Sequence, residues 1–241
     1  GGFCILNPNL NKYEMKELIH LPRLISFGIL QAQNLNGAWR LTQQDGDEVK
    51  EIEYIKIYQD DYFAFGAKQI SDNHFIAAGG GPFTLENGEY TETLDFFTLD
   101  PLQVGKSTVF KMDLVNGKMV ISGNTDNGML VEIWEKVSEE KDDLTGNWVI
   151  TGRKRDDEIQ RSTPGARRTI KILSGGRFQW VAFNSETKEF SGTGGGTYTA
   201  KDGKYVETIT FFSRDDSRVG ANLGFDFEVI DGEWHHRGLS S

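Results

Sequence analysis

The chain holds one cysteine, five prolines and four histidines in 241 residues. A lone Cys4 excludes an intrachain disulfide and a cysteine-based zinc site. A hydrolytic triad would have few histidines to draw on for its base, and no Gly-x-Ser-x-Gly elbow occurs. His235 and His236 are adjacent, so on a strand their side chains diverge and cannot share one metal; His20 and His74 are isolated. No stretch reaches the roughly 20 clean apolar residues of a membrane-spanning helix. Positive charge is also short. There are 26 Lys and Arg against 36 Asp and Glu, a net charge of −10, and residues 1–141 hold 12 against 21. Such a chain lacks the clustered cations that nucleic acid or an anionic membrane surface requires.

Glycine is abundant at 28, and aromatics make up 12% of a chain that is 37% hydrophobic. That composition suits many short strands around a real core, joined by tight turns.

The sequence repeats itself. Gly37-Ala38-Trp39 matches Gly146-Asn147-Trp148, each preceded by a leucine, Leu35 or Leu144. Ile55-Lys56-Ile57 matches Ile170-Lys171-Ile172, and Gly79-Gly80-Gly81 matches Gly194-Gly195-Gly196. The run from Asn87 to Glu92 matches that from Asp202 to Glu207, Phe96-Phe97 matches Phe211-Phe212, and Asn116-Gly117 matches Asp231-Gly232. From Ile55 onward the offset is a constant 115 residues, whereas the tryptophans are 109 apart, so the second copy carries six extra residues in its first loop.

Each copy parses into alternating runs. In the first, strands are predicted near 37–44, 52–58, 61–67, 73–83, 89–98, 107–115, 118–123 and 128–136. Asn87-Gly88 and Asn116-Gly117 are hairpin signals, since both central residues need positive φ. Eight strands linked mostly by hairpins close naturally into an up-and-down barrel, which removes exposed edges. The glycine triplets lack a following Gly-Lys-Ser/Thr and sit inside strand patterns, so they mark a bend rather than a phosphate loop. In the second copy Gly238 corresponds to Gly123, and the run from Met129 to Trp134 has no counterpart. The second barrel is therefore expected to lack its eighth strand, either because the chain is truncated or because something else closes the seam. This divides the chain into an N-terminal segment 1–34, a first barrel 35–137, a charged linker 138–143 and a second barrel 144–241.

Met15-Lys16-Glu17, then a largely apolar stretch to Leu30 and Gln31-Ala32-Gln33, has the layout of a secretory signal peptide with cleavage near Ala32. Pro22 and Arg23 interrupt that stretch, and the other reading is an amphipathic helix lying on the barrel.

Gly-x-Trp on the first strand is similar to the lipocalin signature, in which the tryptophan plugs one end of the barrel. The longer pattern Gly194-Gly195-Gly196-Thr197-Tyr198-Thr199, Asp202-Gly203-Lys204-Tyr205-Val206-Glu207-Thr208, Phe211-Phe212-Ser213-Arg214 and Val219-Gly220-Ala221 is more specific. It resembles the lipocalin-like Bacteroidetes proteins labelled "membrane or secreted protein", a family of unknown function, over about 35–241. Glu132-Ile133-Trp134 fits the Glu-x-Trp strand with which members of that family end. The resemblance implies secretion, or a periplasmic location, and an all-β fold: two tandem lipocalin-like up-and-down β-barrels, the second lacking its last strand. It implies no activity and no catalytic residue.

Alternation sorts the faces of each strand. Tyr90, Glu92, Leu94 and Phe96 share one face, repeated by Tyr205, Glu207, Ile209 and Phe211. With this apolar face inward, Phe63, Phe65 and Ala67, echoed by Phe178, Trp180 and Ala182, line the same interior. So do Phe110, Met112 and Leu114, echoed by Phe225, Phe227 and Val229. The predicted ligand-binding set is Tyr90, Glu92, Phe96, Phe65 and Met112 in the first barrel, and Tyr205, Glu207, Phe211, Trp180 and Phe227 in the second.

A carboxylate among aromatics must be paired, protonated or open to water, because burial disfavours its charged form. Glu92 and Glu207 are either members of structural ion pairs or polar anchors for a ligand with an amine or hydroxyl. Trp39 and Trp148 read as end-plugs. A basic loop around Arg153-Lys154-Arg155, Arg161, Arg167 and Arg168 opposes an acidic set in the first copy, Asp45, Asp47, Glu48, Glu51 and Glu53. Both are solvated loops or a contact between barrels.

These observations lead to a secreted or periplasmic binding protein for a small, largely apolar or amphipathic molecule. No metal or cofactor, no nucleic acid and no membrane span is expected, and the open seam offers a route to an oligomer. The rival is a hydrolase or isomerase with Glu92 or Glu207 as general acid/base, and a third reading is a purely structural module.

Overall fold

The structure is a computed structural model that describes residues 34–125, 128–155 and 158–238. The signal-like segment from Met15 to Ala32, with Cys4 and His20, lies outside the described residues.

Turn chemistry sets the strand ends. Asn87, Asn116, Asp202 and Asp231 all take φ of 52–53°, and each is followed by a glycine with φ of 71–82°. Two consecutive left-handed residues match the twist of the flanking strands, which Asn-Gly and Asp-Gly pairs supply at little steric cost. Asp60, in the turn after Gln59, has φ 54°.

The first sheet contains β1 (Gly37–Gln44), β2 (Asp47–Glu48), β3 (Ile52–Gln59), β4 (Tyr62–Gln69) and β5 (Phe75–Glu86). It continues with β6 (Glu89–Thr93), β7 (Phe96–Phe97), β8 (Ser107–Val115), β9 (Lys118–Thr125) and β10 (Gly128–Ser138). All pairings are antiparallel neighbours in sequence, and β10 returns to pair with β1, Leu41 opposite Trp134. With β6 and β7 counted as one interrupted strand and β2 as an appendage, this is a closed eight-stranded barrel.

The second sheet runs β11 (Gly146–Val149), β14 (Arg167–Ser174), β15 (Arg177–Asn184), β16 (Glu189–Lys201), β17 (Lys204–Phe212), β18 (Asn222–Ile230) and β19 (Glu233–Arg237). It repeats the order of the first sheet over seven strands and curls as a half-barrel, whose edge strands β11 and β19 each have one side unpaired among the described residues. The first connection of the second copy, longer by six residues, contains a separate two-stranded sheet, β12 (Gly152–Arg155) with β13 (Glu158–Arg161). Arg161 ties it to β19 through both guanidinium nitrogens on Glu233, at 2.6 and 2.8 Å.

The tryptophan of each Gly-x-Trp is tied to the leucine that precedes the motif. Trp39 donates from Nε1 to the Leu35 carbonyl at 2.8 Å, and Trp148 does the same to Leu144 at 2.7 Å.

The sequence predicts one continuous strand over 89–98, but the ladder breaks at Leu94 and Asp95. Glycine makes the break possible. A Cβ on Gly81 would stand 1.9 Å from the Thr93 carbonyl oxygen, and one on Gly196 the same distance from that of Thr208. Only a residue without a side chain lets the neighbouring backbone come so close.

The two sheets pack through the outer faces of β3, β4 and β5. Ile55, Ile57, Ala64, Ala78 and Phe96 form one buried cluster with Ile172, Val181 and Phe183. Each fully buried Ile or Phe contributes about 1.5–3 kcal/mol. Gln59 and Ser174 occupy the same position of the two repeats, and Ser174 Oγ donates to Gln59 Oε1 at 2.8 Å, so equivalent surfaces of the two halves meet at this pair. Arg168, from the predicted basic set, reaches Asp95 at 3.3 Å rather than any member of the predicted acidic set.

Candidate functional site

The interior of the first barrel is organised by β3. Tyr54, Lys56 and Tyr58 alternate with Ile55 and Ile57, and it is the isoleucines that face the other half of the molecule. Lys56 therefore points inward, only 6% exposed. Its Nζ donates to Glu92 Oε1 at 2.6 Å, and the same oxygen accepts from Tyr90 Oη at 2.5 Å. Tyr58 Oη lies 2.8 Å from Tyr90 Oη and donates to it, since the Tyr90 proton is committed to Glu92. The lysine is enclosed by rings, with Nζ 5.1 Å from the centre of Phe63 and 4.9 Å from that of Trp134. A chain of this kind specifies one arrangement because every buried polar member has a partner.

A second carboxylate joins from β10. Glu132 accepts from the Trp134 indole Nε1 at 3.0 Å. Burial, reinforced by Glu92 and Asp45, holds its carboxyl above the usual range against the pull of Lys56 and the indole. Lys56 responds in the opposite sense. Burial alone would depress it, but Glu92, Tyr58 and Glu132 together raise it above its ordinary value. Tyr54, beside Glu132, is pushed up to about 12, chiefly by burial.

Above these charges lies a cavity of about 70 Å3, partly open to solvent. Leu41, Phe65, Leu94, Phe110, Ile121 and Leu130 form its apolar walls, and Gln44, Lys56, Glu92, Thr108 and Glu132 its polar ones. By volume it holds a handful of waters or the head of a small molecule.

The second half has a thinner version of the same site. Lys171 bonds Glu207, and its Nζ sits over Phe178, Tyr205 and Trp234 at 5.0, 4.9 and 5.4 Å. Among the described residues nothing replaces Glu132 there, and the Trp234 Nε1 is buried without an acceptor. Burial then outweighs the single carboxylate, and Lys171 is depressed. His236 lies on Phe225 with ring centres 4.2 Å apart, and partial burial with the nearby Lys171 ammonium lowers its imidazole to about 4.

Of the residues predicted for the first barrel, Glu92 and Phe65 line the cavity, Tyr90 stands behind Glu92, and Met112 is buried in the surrounding core. Phe96 does not join them. The break before β7 shifts the alternation by one, so Phe97 enters the barrel core and Phe96 packs on Phe183 between the sheets, 5.6 Å between ring centres. Phe211 is displaced in the same way, and its ring stacks on Phe75 of the first sheet. Tyr205 is fully buried inside the half-barrel beside Glu207, with Trp180 and Phe227 at the margin of the same cluster.

Sequence reasoning missed Lys56, Lys171 and Glu132. The signal for the two lysines was present: Ile-Lys-Ile repeats in both copies, and its lysine points inward if the isoleucines are claimed by something else.

Residues 34–143, the first barrel and the linker after it, match a domain of unknown function, DUF4488. No curated protein matches the chain. Among the described residues no helix is long and apolar enough to cross a membrane, and no group of three or more His, Cys, Asp or Glu could hold a metal ion.

Proposed function

We propose that the first barrel binds a small amphipathic molecule in its cavity, with the Lys56, Glu92 and Glu132 groups fixing the polar end. The observation that carries this reading is the juxtaposition of fixed charges with apolar walls in one partly open cavity. Binding sites commonly combine a mostly apolar lining with a few placed polar groups. The tight chain from Tyr58 to Lys56 supports binding over turnover, because Glu92 is already committed to two donors. A catalytic role would fall instead to Glu132, whose raised carboxyl is the group best suited to exchange a proton.

The signal-like layout from Met15 to Ala32 supports secretion or a periplasmic location. The Trp39 end-plug on a Gly-x-Trp strand supports kinship with lipocalin-like barrels.

Native mass spectrometry of protein isolated from its natural host tests the reading. The expected result is a bound small molecule that is absent from Leu130→Trp, which fills the cavity while leaving the charged groups in place. An adduct retained by the filled variant would place the ligand elsewhere and overturn the proposal.

A further inference from the structure

Resting on that reading, we infer that the ligand is a cation: the first barrel takes the ammonium end of a small amine. The charges on the cavity wall decide it. Lys56 contributes one positive charge, Glu92 one negative charge, and Glu132 a second negative charge once it ionises. The Lys56 charge is matched by Glu92 at 2.6 Å, whereas the partner of Glu132 is a neutral indole N–H. The titratable groups facing Glu132 are Lys56, Tyr54 and Tyr58 from β3, Glu92 from β6 and Asp45 from the turn after β1. Lys56 is the one cation in that set, so with Glu132 ionised the cavity wall itself carries one negative charge in excess, and Asp45 adds to the same sign. An incoming ammonium neutralises it, an anion meets two carboxylates, and a neutral hydroxyl leaves the excess charge uncompensated.

The walls suit the same ligand. Trp134, Phe65, Phe110 and Tyr54 surround the position with aromatic rings, and a cation is attracted to their faces as Lys56 already is to Trp134. The second half provides the contrast. There Lys171 and Glu207 balance each other, and among the described residues nothing stands in place of Glu132.

Three probes of one size separate this inference from the reading beneath it: n-butylammonium, 1-butanol and butyrate. Each is titrated into the full chain while the Trp134 indole N–H is followed by NMR, since that proton points at Glu132. Butylammonium is expected to bind at least about tenfold more tightly than butanol. Butyrate should not bind. The Glu132→Gln variant should lose about tenfold for butylammonium and nothing for butanol. Butylammonium should also bind more tightly as pH rises and Glu132 ionises. Butanol or butyrate binding as well as the amine would overturn the inference and leave the binding reading standing. If no probe moves the Trp134 signal, both fall.

Discussion

Trp134 and Trp234 cover equivalent lysines from non-equivalent strands. The Trp134 ring, on β10, lies 4.9 Å from Lys56, and the Trp234 ring, on β19, lies 5.4 Å from Lys171. The repeat position of Trp234 in the first barrel is Met119, so the ring that β10 supplies in the first half comes in the second from the strand equivalent to β9.

The difference in carboxylate count gives the first prediction. Glu207→Gln strands Lys171 in a buried site with no second acid, and should cost about 3 kcal/mol or more. Glu92→Gln leaves Lys56 with Glu132 and should cost distinctly less, about 1–2 kcal/mol. The double change Lys171→Met with Glu207→Gln removes both charges together and should return close to wild-type stability. Urea unfolding of the four proteins checks the order.

Gly81→Ala and Gly196→Ala should each destabilise by about 3 kcal/mol or more, because the added methyl meets a carbonyl oxygen that belongs to a fixed ladder. Gly224→Ala is the control. Its Cβ meets nothing within 4 Å, and it should be neutral or slightly stabilising by thermal melt.

His236 should titrate near 4 rather than near the 6.5 of a free imidazole, by NMR. The unfolded chain then binds a proton that the folded one refuses between these values. Stability is lost as pH falls from about 6.5 toward about 4. Because the ring keeps an exposed edge, the loss should be only about 1 kcal/mol. His236→Phe should abolish that slope.

Hydrogen exchange should find residues 146–149 and 233–237 less protected than residues 37–44 and 128–138. Strands β1 and β10 hold each other, whereas β11 and β19 each have one free side among the described residues. Equal protection would mean that something pairs with the open edges.

Much of the fold was legible because the chain carries it twice. Asn87-Gly88 and Asp202-Gly203 fix turns by their own torsions, and a constant offset aligns everything between them. What stayed illegible depended on contacts that no single strand encodes. Lys56 is inward because Ile55 and Ile57 are needed by the other half, which reverses the usual assignment of the apolar face. Phe96 left the cavity because the strand breaks two residues earlier, and a one-residue slip exchanges faces. Glu132 lies in the run from Met129 to Trp134, for which the sequence offers no second copy to compare, so the repeat could not highlight it.

The Gln59–Ser174 hydrogen bond has a further consequence. A surface that meets its own repeat is the arrangement by which two separate molecules form a symmetric dimer, and such a dimer falls apart on dilution. Joined in one polypeptide, the same surfaces face each other at an effective concentration of about a millimolar or more, whatever the amount of protein in solution. Among the described residues the two halves differ inside, one a closed barrel with a cavity and the other a sheet with unpaired edges, while equivalent surfaces meet in the layer between them.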